Sequence, residues 1–172
     1  GRPTVFNLLG PLVNPAGAEF QLLGVVRTEL VGLIAAAIQQ LGTVRTLVVR
    51  GEDGLGDVSC SGPTRVTEVT PARIEQTMWH PSDFGLECAP LEELEVAGPE
   101  ESAAVIRRLL LGAPGAPRTM VVLNAAAGLL AANAESEPRR AAERAAEAID
   151  SGAARELVER LAEVSHRPAA DS

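Results

Sequence analysis

A chain of 172 residues with 46% hydrophobic and 22% charged residues holds enough apolar material for one globular core. Its net charge of −8 opposes loose binding to nucleic acid or an anionic membrane surface, and 2% aromatic residues leave almost nothing for bases to stack on. The two cysteines, Cys60 and Cys88, make neither a disulfide framework nor a zinc set, and both read as small apolar fillers.

Thr4 to Ala16 mixes apolar residues with Gly10-Pro11 and Asn14-Pro15. Thr4 caps a short helical run through Leu9, and the two proline steps then break it into a kinked turn. Phe20 to Val26 is a nearly continuous apolar run suited to a buried parallel strand. Thr28 is the expected N-cap of a helix whose Leu30, Val31, Leu33, Ile34, Ile38 and Leu41 recur at helical spacing, closed by Gly42. Arg45 to Arg50 is a second strand, completing a βαβ unit. Gly51 to Asp57 then leaves its carboxyl end, the place where ligands sit in open parallel sheets. That loop is read either as a plain polar turn or as the holder of a phosphate-bound cation.

From Val58 to Trp79, alternation and turn signals predict two or three short strands, in VSCSG, TRVTEVT and RIEQTMW, with an antiparallel pair at the sheet edge. His80 to Gly85 is a turn with a short helical step, and His80 is read as structural or exposed. Leu86 to Gly98 is a loop carrying a short acidic helix at Glu92 to Leu94. The remainder is helical: Pro99 with Glu100 to Leu111, Arg118 to Ala131, Glu137 to Asp150, and Ala153 to Val164. Met120 to Leu123 also reads as a strand, but the length of the run selects the helix. The longest apolar run, Leu30 to Ile38, is much too short to cross a bilayer, and no secretory signal opens the chain, so a cytoplasmic protein is expected. Residues 1–165 form the expected domain and 166–172 a polar tail. Beginning at Gly1 rather than Met, the chain reads as a fragment or an excised domain.

The run FNLLGPLVNPA, followed in order by Gln21-Leu22-Leu23-Gly24-Val25, Leu47 to Gly51, Asp53-Gly54-Leu55, Gly62 to Val66 and Asn124-Ala125-Ala126-Ala127, resembles the anthranilate phosphoribosyltransferases. The resemblance covers nearly the whole chain but only about half the family's usual length, its C-terminal half. It implies an α/β fold, with a mostly parallel sheet, an antiparallel edge and flanking helices. It also implies transfer of phosphoribose from phosphoribosyl pyrophosphate to the amine of anthranilate, with Mg²⁺ on the departing diphosphate. Asn7, Gly10 and Pro11 fall where the family's acceptor pocket lies. The family's metal loop reads Asp-Gly-x-Asp-Glu, and here its last two positions hold Gly56 and Asp57. Asp57 and Asp53 are therefore the candidate metal ligands, Asp57 at the motif position and Asp53 or Glu52 as its substitute, in a site with one carboxylate fewer.

The family's glycine-rich diphosphate loop and lysine-containing phosphate segment are not in this chain, nor is the helical region that forms most of the dimer contact. The fragment alone is accordingly expected to lack turnover, and a homodimer is expected only with that helical region. The alternative is a non-catalytic or re-purposed relative with a decayed metal site. A nucleoside phosphorylase of similar architecture is a third reading, disfavoured because the motifs match the anthranilate enzymes.

Overall fold

A computed structural model describes Leu12 and residues 17–166. Four strands, β1 (Phe20–Gly24), β2 (Arg45–Gly51), β3 (Thr64–Val69) and β4 (Ile74–Trp79), lie in that order in one sheet. Helix α1 (Thr28–Leu41) covers one face. On the other lie α2 (Pro99–Leu110), α3 (Ala116–Ala131) and α4 (Pro138–Asp150), followed by α5 (Ala153–Ser165).

The two faces separate by simple alternation along β2. Leu47 and Val49 enter the larger core with Val122, Leu123, Ala126 and Phe84, whereas Val48 points the other way, to Val31, Ile34 and Ile38 of α1. On α1 the buried residues Val31, Ile34, Ala35 and Ile38 recur at i, i+3, i+4 and i+7, which is one helical face. Gly42 ends it in a left-handed conformation (φ 79°), its N–H donating to the Ile38 carbonyl at 3.2 Å. Arg27 rather than Thr28 occupies the N-cap position, with no side-chain cap.

β1 pairs with β2 in parallel through α1, as the βαβ reading requires. β2–β3 and β3–β4 are antiparallel, so the sheet among the described residues is mixed, not mostly parallel. The reason lies in the connection. Residues 52–63 carry no helical segment, and without a crossover element the chain can only turn back. VSCSG is loop rather than strand, because its hydroxyls are drawn to Asp53, as described below.

At the opposite end of the sheet, Arg45 binds Glu68 at 2.6 Å, Asn133 at 2.7 Å and the Leu130 carbonyl, tying β2 and β3 to the end of α3. His80 is structural: its ring Nδ1 accepts from the Ser82 N–H while Asp83 accepts from the His80 N–H, capping a 3₁₀ turn at Pro81–Phe84. Phe84 meets Trp79 edge to face at 5.4 Å. Cys60 is a buried filler, but Cys88 is exposed, its sulfur 3.7 Å from His80 Nε2, which corrects the expectation that both pack inside.

Candidate active site

The site is built on residues 51–58, where the chain leaves the carboxyl end of β2. Gly51 donates to the Leu55 carbonyl at 2.9 Å and Gly54, at φ 100°, donates back to Gly51 at 3.0 Å, closing a tight turn. Arg50 reaches across to the Val26 carbonyl at 2.9 Å, joining the carboxyl ends of β1 and β2. The turn is then pressed against β1. Gly24 and Gly56 lie so close that a Cβ on Gly24 would stand 1.5 Å from the Gly56 carbonyl oxygen.

Asp53 is the internal strut of this loop. One carboxylate oxygen accepts from the Leu55 N–H at 3.0 Å, and the other from Ser61 at 2.7 Å and from the Ser59 hydroxyl. Burial alone would raise its pKa. The hydrogen bonds from Ser59, Leu55 and Ser61 and from its own backbone outweigh burial and hold it below its ordinary value of 3.8. Glu52 is engaged as well, accepting from Arg65 at 2.9 Å.

Asp57 differs. Its pKa is raised, burial being the cause, and among the described residues no donor offsets it. Among the described residues no set of three His, Cys, Asp or Glu side chains gathers into a metal cage. Mg²⁺ does not require one, because it typically takes one or two carboxylates and completes its shell with water and substrate phosphates. No described residue donates to Asp57, whereas the lone pairs of Asp53 are already occupied.

Asp57 is also held in place from behind. The Asn124 side chain accepts the Val58 N–H at 3.0 Å and donates to the Val58 carbonyl at 2.9 Å and the Met120 carbonyl at 3.0 Å. A helix residue thereby clamps both polar groups of the residue following Asp57. Sequence reading registered Asn124 only as part of a motif. Its signal was a single amide within VVLNAAAG, where a polar group in an apolar helix needs partners. Asn7, Gly10 and Pro11 lie outside the described residues. Of the kinked stretch only Leu12 is described, and it packs against the core beneath α1.

The two carboxylates should titrate with opposite signs. Asp53, with its folded pKa depressed, contributes stability above its unfolded value, and that contribution disappears as pH falls through the lower folded value. Asp57, with its folded pKa raised, weakens the fold as pH rises from the unfolded to the folded value, and the loss persists above it. Thermal melts at pH 7 should therefore place Asp53→Asn below the unsubstituted chain and Asp57→Asn level with it or slightly above. Both gaps should narrow as pH falls below about 4. An Asp57→Asn variant less stable than Asp53→Asn would contradict this assignment.

Architecture and site together define an α/β domain that presents an acidic, glycine-rich loop at the carboxyl ends of two parallel strands. Such loops are where open sheets place their ligands. The chain belongs to the glycosyl transferase family, a/b domain, whose sequence model matches residues 1–155. It is 49% identical over 165 residues to the anthranilate phosphoribosyltransferase of Hyphomonas neptunium, covering 96% of this chain and 48% of the relative. The crystal structure of anthranilate phosphoribosyltransferase from Thermus thermophilus superposes with a TM-score of 0.83 at 43% identity, covering 93% of this chain and 47% of that one. The Saccharomyces cerevisiae enzyme in complex with phosphoribosyl pyrophosphate and Mg gives a TM-score of 0.82 at 31% identity, covering 92% and 46%. The chain thus spans about half the length of the curated relatives it matches. No helix among the described residues is long and apolar enough to cross a membrane.

Proposed function

We propose that this chain is part of an anthranilate phosphoribosyltransferase, which joins phosphoribose from phosphoribosyl pyrophosphate to the amine of anthranilate in tryptophan biosynthesis, in the cytoplasm. The observation that carries the reading is the Asp57 carboxylate, to which no described residue donates, on a loop fixed to β1, to the Ser59–Ser61 turn and to α3. Mg²⁺, when bound, neutralises charge on the departing diphosphate. Asp57 would hold it, and Asp53 keeps the loop in the shape that presents Asp57. A transfer of this kind is driven by positioning and charge neutralisation rather than by covalent help. In this reading Asn7, Gly10 and Pro11 line the acceptor pocket.

The test is pyrophosphate release from phosphoribosyl pyrophosphate plus anthranilate. The 172 residues alone should show none, and a polypeptide that also carries the relatives' remaining half should show it, dependent on Mg²⁺. A polypeptide with both halves but no turnover at any Mg²⁺ concentration would favour the re-purposed relative, a reading motivated by glycine at position 56. Restoring the acidic pair with Gly56→Asp and Asp57→Glu is sterically feasible. A Cβ at position 56 meets only the exposed Val26 side chain tightly, at 3.1 Å. In the two-half polypeptide the restored pair should lower the Mg²⁺ concentration needed for half-maximal rate by about tenfold, the scale expected from one added ligand. An unchanged Mg²⁺ requirement would remove the loop from the metal's binding site.

A further inference from the structure

Three arginines stand where the strands end at the acidic loop, and they are not equivalent. Arg27, just past β1, pairs with Glu29 at 3.4 Å, and Arg65 of β3 pairs with Glu52 at 2.9 Å. Arg50 faces Arg65 across the β2–β3 register and, among the described residues, pairs with no carboxylate. Backbone fixes its guanidinium instead: Nε donates to the Val26 carbonyl at 2.9 Å and Nη1 to the Gly51 carbonyl at 3.2 Å. Most of the N–H donors of that group are left without a described partner. Arg50 also borders position 56. A Cβ on Gly56 would meet the Val26 side chain at 3.1 Å, and Val26 is the residue whose carbonyl Arg50 holds. Loop and guanidinium therefore converge on one residue at the end of β1, glycine at 56 puts no side chain between them, and Asp57 comes next in the chain.

We propose that Arg50 binds the diphosphate of the sugar donor directly, so that a fixed side-chain cation shares the neutralisation of that group with the Asp57 loop. The inference deepens the function proposed above and rests on it for the identity of the diphosphate. Charge selects the ligand. Glu52, Asp53 and Asp57 make the loop acidic and the whole chain carries −8, so a group with several negative charges is repelled unless a cation meets it. Arg27 and Arg65 already spend their charge on Glu29 and Glu52, which leaves Arg50 for that task. A guanidinium presents paired N–H groups that match phosphate oxygens, and one already anchored to two carbonyls loses little further freedom when it binds.

The experiment titrates inorganic pyrophosphate, with and without Mg²⁺, into this chain and into the two-half polypeptide, and reads binding by calorimetry. Arg50→Gln should weaken binding at least about tenfold, the scale of one charge-assisted hydrogen bond. Arg50→Lys, which keeps the charge but not the fork, should fall between Arg50→Gln and the unsubstituted protein. Arg73→Gln removes the same charge from the β3–β4 turn, at the far end of the sheet, and should leave binding unchanged. Both Arg50 variants lose the Nε bond to Val26, so a merely structural role would weaken binding equally in the two. In turnover, Arg50→Gln should raise KM for phosphoribosyl pyrophosphate and leave KM for anthranilate unchanged. Pyrophosphate binding that is absent from both proteins, or indifferent to Arg50→Gln, overturns the proposal. So does a loss that Arg50→Lys or Arg73→Gln matches in full. A KM rise confined to anthranilate also overturns it, giving the cation to the acceptor's carboxylate. The two readings fail separately: Arg50-dependent pyrophosphate binding without turnover sinks the activity alone, and turnover indifferent to Arg50 sinks this assignment alone.

Discussion

Gly24→Ala is expected to push the acidic loop off β1 and to lower the melting temperature by roughly 6–12 °C, the shift that a loss of about 3 kcal/mol gives a chain of this length. The new Cβ would lie 1.5 Å from the Gly56 carbonyl oxygen and 2.6 Å from its carbon. Both partners are backbone, so no rotamer change relieves the overlap. Either β1 withdraws from β2, straining the bond from the Val25 N–H to the Val49 carbonyl at 3.0 Å, or residues 54–57 lift away from the sheet. Gly32→Ala is the control. It sits within α1, an added Cβ there meets nothing within 4 Å, and replacing a helical glycine should raise stability by about 0.5–1 kcal/mol. Circular-dichroism melts of the two variants should move in opposite directions. A Gly24→Ala protein melting within about 2 °C of the unsubstituted chain would mean that the loop does not rest on β1, and the geometry assigned to Asp57 would go with it.

Much of the scaffold beneath this contact was legible beforehand, because its signals are local. Val31, Ile34 and Ile38 show their common face through spacing alone, Gly42 marks the helix end, and the alternation of Thr64 to Val69 marks a strand. Signals that depend on which distant residue is present were not legible. Val58 to Gly62 has strand-like alternation, but Ser59 and Ser61 turn instead to the carboxylate of Asp53, six and eight residues earlier, and no periodicity reports that pairing. The balance of the sheet, with two antiparallel pairings to one parallel, was not legible for a similar reason: the β2–β3 direction belongs to the connection 52–63 and not to β2 or β3 themselves. At the proposed site, the motif drew attention to this loop and ranked Asp57 before Asp53 and Glu52 by position alone. Only the hydrogen bonds separate a carboxylate that builds the loop from one that the loop presents.

Asn124→Leu should be comparably damaging, for the opposite physical reason. Leucine is close to isosteric with asparagine, so nothing clashes and no sizeable cavity opens. What is lost is the only side chain among the described residues bonded to both polar groups of Val58, a residue 1% exposed. A buried N–H and a buried carbonyl left without partners cost about 1–3 kcal/mol each, so a loss of about 2–5 kcal/mol is expected. Asn124→Asp refines the test through pH. An ionised aspartate can still accept from the Val58 N–H but can donate to neither carbonyl, and it adds a negative charge beside the loop that carries Asp57. Protonation restores one donor, so the deficit of this variant should shrink as pH falls into the carboxylate range, while that of Asn124→Leu should not. Amide hydrogen exchange locates the effect. At Val58 exchange should accelerate by at least about tenfold in both variants at pH 7, whereas at Val48, in the middle of β2, it should change only as far as global stability does. Equal acceleration at the two amides would make Asn124 an ordinary core residue. Acceleration confined to Val58 and the preceding loop would identify α3 as the support that keeps Asp57 in place.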